Sequence, residues 1–246
     1  MRATRLLARR RLTFLMLGCN MGATRGRAGS LSSWLAGALF LPVFCLSGVH
    51  ADAQEVEAPS EERTESSRAV STLSFLGGAA AGLLAHEGGH LLFDVAFDAD
   101  PGFRRVEFAG IPFFAVTHRD GLSPRREYTI SAAGFWVQSA AAEWVLIRRP
   151  DLRRENGALA KGLLAWSVSS SAVYAAAAFG TFGPPERDTR GMADSRAVAE
   201  PWIGLMLLVP AVCDGWRYFD PEARWPRWVS RAAKVGLVLL VMTPRR

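Results

Sequence analysis

Lysine is almost missing from this chain of 246 residues: Lys161 and Lys234 are the only two, and arginine carries the rest of the basic charge. A formal net charge of +6 would suit nucleic acid, but the arginines border apolar runs instead of forming one patch, which argues for the flanks of membrane segments. Cysteine is equally scarce. Of three, Cys19 and Cys45 fall in an N-terminal leader and Cys213 stands alone in an apolar block, so neither a disulfide framework nor a cysteine-based zinc site can be assembled. Histidine numbers four, one of them in the leader, too few for the histidine clusters of membrane di-iron oxidases. No internal repeat is visible.

Apolar residues, by contrast, make up half of the chain and lie in blocks. Residues 1–53 read as a signal peptide or N-terminal leader: Trp34 to Gly48 is an apolar core, and Ala51-Asp52-Ala53 follows it with small residues at the cleavage spacing. A start at Met21 would give this leader an ordinary length, and an uncleaved first membrane helix is the other reading. Residues 54–70 form an acidic, solvated linker containing Pro59. Residues 71–246 carry apolar blocks near 71–95, 128–147, 162–183, 201–216 and 228–243, the last but one interrupted by Pro210. The expectation is an all-α membrane protein of about five transmembrane helices. Val106 to Thr117, β-branched and aromatic around Gly110 and Pro112, predicts a short β-hairpin between the first two. Basic residues balance between the loops of the two sides, so their count does not orient the chain. A cleaved leader would put the acidic linker outside the cytoplasm, and the expected location is the inner membrane of a bacterium.

One segment carries chemistry. His86-Glu87-Gly88-Gly89-His90 places two imidazoles at i and i+4, on one face of a helix and one turn apart, where both can reach one Zn²⁺ at about 2.0–2.1 Å. Glu87 falls beside the pair, where it can take the proton of an activated water. Gly88 and Gly89 cost helix propensity but admit a close neighbour. The motif falls within an apolar segment long enough to span, and ionisable groups there are costly unless they bind something.

The chain here resembles the site-2 protease class of intramembrane metalloproteases, through HEGGH within a membrane helix, the strand-like VEFAGIPFFAV and the following SAAGFWVQ at Ser131 to Gln138. That resemblance implies a zinc endopeptidase whose partners are the lipid bilayer and a membrane-protein or peptide substrate, unwound along the strand at 106–116. It also implies a third ligand from a distant aspartate. Asp94 is excluded, since eight residues of helix separate it from His86 by about 12 Å. Asp214, in Pro210-Ala-Val-Cys-Asp214-Gly215, resembles the Pro-rich segment ending in Asp-Gly that supplies the class's third ligand, whereas Asp188 opens a small-residue segment after a Gly-Pro-Pro turn and is preferred; Asp194 is a further candidate. The class uses an amide to stabilise the oxyanion, and Gln138 stands on the corresponding helix, where helix–helix hydrogen bonding serves it equally well. The alternative is a catalytically inactive metal-binding membrane scaffold that docks a partner helix.

Overall fold

The computed structural model describes residues 61–108 and 111–243, so the leader at 1–53 and the start of the acidic linker lie outside the described residues. The described residues are mostly helical and form six helices and one antiparallel hairpin: α1 (Glu61–Ala96), β1 (Gly102–Phe108), β2 (Ile111–Thr117), α2 (Pro124–Arg148), α3 (Ala158–Gly180), α4 (Asp188–Arg196), α5 (Glu200–Phe219) and α6 (Trp225–Leu239), the last closed by a 3-10 turn at Leu240–Met242. Each of the five apolar blocks is a helix. Three of them, α1 from Glu65 onward, α2 and α3, are long and apolar enough to cross a membrane and mark the chain as a membrane protein. The outer face of α1 agrees: Leu73, Leu76, Leu84, Leu92 and Val95 are all exposed, as a lipid-facing stripe would be.

Two boundaries differ from the sequence reading. The acidic stretch is not wholly a linker, because α1 begins at Glu61 and residues 65–70 are helical and exposed. Glu, Arg and Ala favour helix, and continuation from a long apolar helix needs no new nucleus. The strand signal also starts earlier: β1 runs through the charged Phe103-Arg104-Arg105 and pairs Gly102 with Thr117 through to Phe108 with Ile111.

Small residues set the helix packing. A Cβ on Gly78 would fall inside the Leu159 carbonyl, and one on Gly162 inside that of Phe75, so α1 and α3 cross backbone to backbone. Gly89 does the same for α1 against Ala133 of α2, while its neighbour Gly88 meets nothing within 4 Å. The N-cap Ser123 and Pro124 start α2, its hydroxyl accepting from the Arg126 N–H. Around Tyr128, Phe135, Met192, Ile203 and Leu207 the core joins α2, α4 and α5. Pro210 lies within α5, which continues unbroken to Phe219.

A second polar cluster ties α2, α5 and α6. Glu143 accepts from Arg217 (2.6 Å), Arg231 (2.8 Å) and Lys234 (3.2 Å), and Asp214 accepts from Arg217, Ser230 and Lys234. Asp214, weighed above as a metal ligand, is therefore fully engaged in an ion network on helix faces that do not carry the histidines.

Candidate metal centre

The histidines occupy the last third of α1, and both are buried, at 2 % and 4 % exposure. Opposite them α2 presents Gly134, whose missing side chain leaves room for both rings: a Cβ there would lie 2.6 Å from each Nε2. The far nitrogens are held from behind. His86 Nδ1 donates to Gln138 Oε1 at 2.8 Å and His90 Nδ1 donates to the Ile130 carbonyl at 2.7 Å. Both acceptors lack a proton to give back, so a neutral imidazole carries its proton on Nδ1 and turns a bare Nε2 inward. The two Nε2 atoms are 3.1 Å apart, and Asp188 Oδ2 completes the triangle at 3.3 Å and 3.4 Å.

Three lone pairs converging in this way repel one another unless a cation lies between them. Ligand bonds of about 2.0–2.1 Å at tetrahedral angles would separate the donor atoms by about 3.3–3.4 Å, close to each side of this triangle. Imidazoles with their second nitrogen tied to a carbonyl oxygen are also the usual outer support of a metal site. The group His86, His90 and Asp188 can thus hold a metal ion.

Asp188 arrives from a different part of the chain. It is the first residue of α4, where the sequence suggests only a short small-residue segment after a Gly-Pro-Pro turn. Arg187 and Thr189 on either side of it both bind Glu200 of α5, at 2.7 Å through Arg187 Nε and 2.6 Å through the Thr189 hydroxyl, which sets the start of α4 against the bundle. Asp194, one helical turn and a half further on, is exposed and paired with Arg190.

Glu87 is half-buried and borders a cavity of about 350 Å³ together with His86, His90 and Asp188. Leu83, Trp166, Val173, Tyr174 and Phe114 make that cavity mostly apolar. A second cavity, of about 460 Å³, meets the centre at His90 and Asp188 and is lined by polar groups including His118, Glu127, Ser131 and Ser195. Val116 of β2 borders both, so the hairpin strand passes the junction.

Gln138 is 2 % exposed, with Oε1 on His86 and Nε2 donating to Ser171 at 2.8 Å. The structure thus places it behind the ligand. His118 bridges elements: it pairs with Glu127 of α2 at 3.1 Å and stands 3.6 Å from Asp94, which is wholly buried. The Glu127 hydrogen bond raises the His118 imidazole above its ordinary range, against burial and with help from Asp94. Sequence reasoning missed the Ile130 carbonyl and Tyr174, which stacks on His86 with centroids 5.9 Å apart. No protein-family model, curated protein or solved structure matches the chain.

Proposed function

We propose that this chain is a zinc-dependent intramembrane endopeptidase, similar in design to the site-2 proteases, which cuts membrane-embedded protein substrates in the inner membrane of a bacterium. In this arrangement all five long helices cross the bilayer. The observation that carries the reading is the buried triangle of His86 Nε2, His90 Nε2 and Asp188 Oδ2, with the carboxylate of Glu87 bordering the same cavity. Two imidazoles and one carboxylate are the ligand set of many hydrolytic zinc sites and leave a position open.

Zinc at this position would supply Lewis acidity. The chain's own groups do the rest. Glu87 accepts the proton of the attacking water as that water adds to the peptide carbonyl carbon, and returns it to the departing amine nitrogen as the C–N bond breaks. Gln138 and Ile130 hold the two imidazoles in one tautomer and orientation. The outer edge of β2 pairs with an unwound substrate, whose apolar side chains enter the cavity of Trp166 and Val173.

The test is Glu87→Gln, which keeps shape and removes the base. The expected protein is folded, zinc-loaded and slower by about 10²–10⁴ in cleaving a membrane-helix substrate, since that is the usual worth of a general base. Near wild-type proteolysis would refute the mechanism. A zinc-loaded wild type without any proteolysis would leave the metal-binding scaffold as the function.

A further inference from the structure

We propose that His118 is a proton-operated latch, clamped between Asp94 of α1 and Glu127 of α2, that docks the hairpin beside the metal centre. The latch stands on the side-chain geometry, and its service to a substrate strand rests on the endopeptidase reading. His118 follows Thr117, the last residue of β2, so whatever holds it holds the end of that strand. Little else does. Among the described residues, the other polar side-chain tie from the hairpin joins Arg104 to Glu186, and with Arg104 63 % exposed that pair contributes little. The rings of Phe103 and Phe114 pack on each other, with centroids 5.9 Å apart.

Both ring nitrogens of His118 face carboxylates. Nε2 lies 3.1 Å from each oxygen of Glu127, and Nδ1 lies 3.6 Å from Asp94 Oδ1. A neutral imidazole carries one N–H, so its bare nitrogen would turn a lone pair toward one of these anions. Only the imidazolium serves both sides. The need is greatest at Asp94, which is wholly buried, with neither carboxylate oxygen hydrogen-bonded among the described residues. Loss of the His118 proton removes the counter-charge of that buried carboxylate, and hydrating Asp94 then requires His118 to leave. The Glu127 hydrogen bond and the charges of Glu127 and Asp94 favour the imidazolium, while burial and His90, also on α1, oppose it. From α4, Asp188, Arg190 and Asp194 border the same polar cavity, as does Asp120 of the loop. The balance lies above the ordinary histidine range, so the latch is closed below about pH 6.5 and opens as pH rises through the raised value. Because Val116 of β2 borders both cavities, an open latch withdraws the strand that aligns a substrate.

The experiment places spin labels at Arg105→Cys of β1 and Leu159→Cys of α3, both exposed, in full-length protein carrying Cys19→Ser and Cys45→Ser. Cys213 is buried and stays. Pulsed dipolar distances are recorded in nanodiscs across the pH range in which histidine titrates. The parent protein should give one narrow distance at low pH and a second, broader population as pH rises, with a midpoint above about 6.5. His118→Asn, which cannot carry the charge, should give the broad population at every pH. Glu127→Gln keeps an acceptor and removes the charge, so its midpoint should fall by about one pH unit or more. A parent distance that ignores pH overturns the latch, as does an unchanged transition in either variant. Zinc content is measured on the same samples. Zinc-loaded protein with a pH-independent hairpin overturns the latch and leaves the endopeptidase reading standing, whereas a working latch in protein that takes up no zinc upholds the latch and overturns that reading.

Discussion

Between the Nε2 atoms of the two histidines and the backbone of α2 there is space for a hydrogen atom and little more, because a Cβ on Gly134 would stand 2.6 Å from both. Gly134→Ala is therefore expected to abolish stoichiometric metal while leaving the helix intact, since alanine is the better helix former by about 1 kcal/mol. Metal content per chain by elemental analysis checks this, and full occupancy would show that α2 yields. At this scale the sequence was partly legible. The i, i+4 spacing of His86 and His90 announces a shared face whatever the surroundings, and the Pro-Pro turn before Asp188 hinted that its segment returns. The Ile130 carbonyl was not legible, because a backbone acceptor has no letter of its own. Nor was Tyr174: its stacking on His86 is made by packing between two helices, and no local pattern encodes it.

Among the elements, the five apolar blocks could be read because burial and lipid exposure both select long apolar runs. Helix α4 could not, since its sequence Asp-Thr-Arg-Gly-Met-Ala-Asp-Ser-Arg has a weak propensity and is held by tertiary bonds to α5 and by Met192 in the core. The same limit hid the ion network of α2, α5 and α6, in which Glu143 and Asp214 meet Arg217, Arg231 and Lys234. Its role is structural, and it gives a contrasting prediction. Glu143→Leu leaves three cations facing one carboxylate, and breaking such a partly buried set should cost about 3 kcal/mol of stability. Metal content should stay at the wild-type level, because no metal ligand touches the network. Unfolding in mixed micelles together with metal analysis separates the two effects. Loss of metal in parallel with stability would mean that the network also sets the geometry of the centre.

Over the whole molecule the long helices alternate in direction. The end of α1, the hairpin, the start of α2, α4 and the end of α6 gather together, as the Arg104–Glu186 pair and the Arg196 bond to the Thr243 carbonyl record. The loop after α2 and the end of α5 meet elsewhere, through Arg153 and the Phe219 carbonyl. If all five long helices cross, as proposed, a reporter fused after Arg246 and one inserted within residues 54–68 should lie on opposite sides of the membrane, measured by side-specific labelling. Both on one side would mean that α5 or α6 does not cross. The position of the centre near one end of α1, within apolar helices, has a further consequence in the arithmetic of valence. With neutral imidazoles, Asp188 and Glu87 bring two negative charges to the cavity. A divalent cation makes that enclosure electrically neutral, while a monovalent or trivalent one strands a charge in a medium that solvates it poorly. For the proposed metal-binding role of His86, His90 and Asp188, such an enclosure would favour Zn²⁺ or Co²⁺ over Cu⁺ or Fe³⁺ by charge, before ligand preference acts.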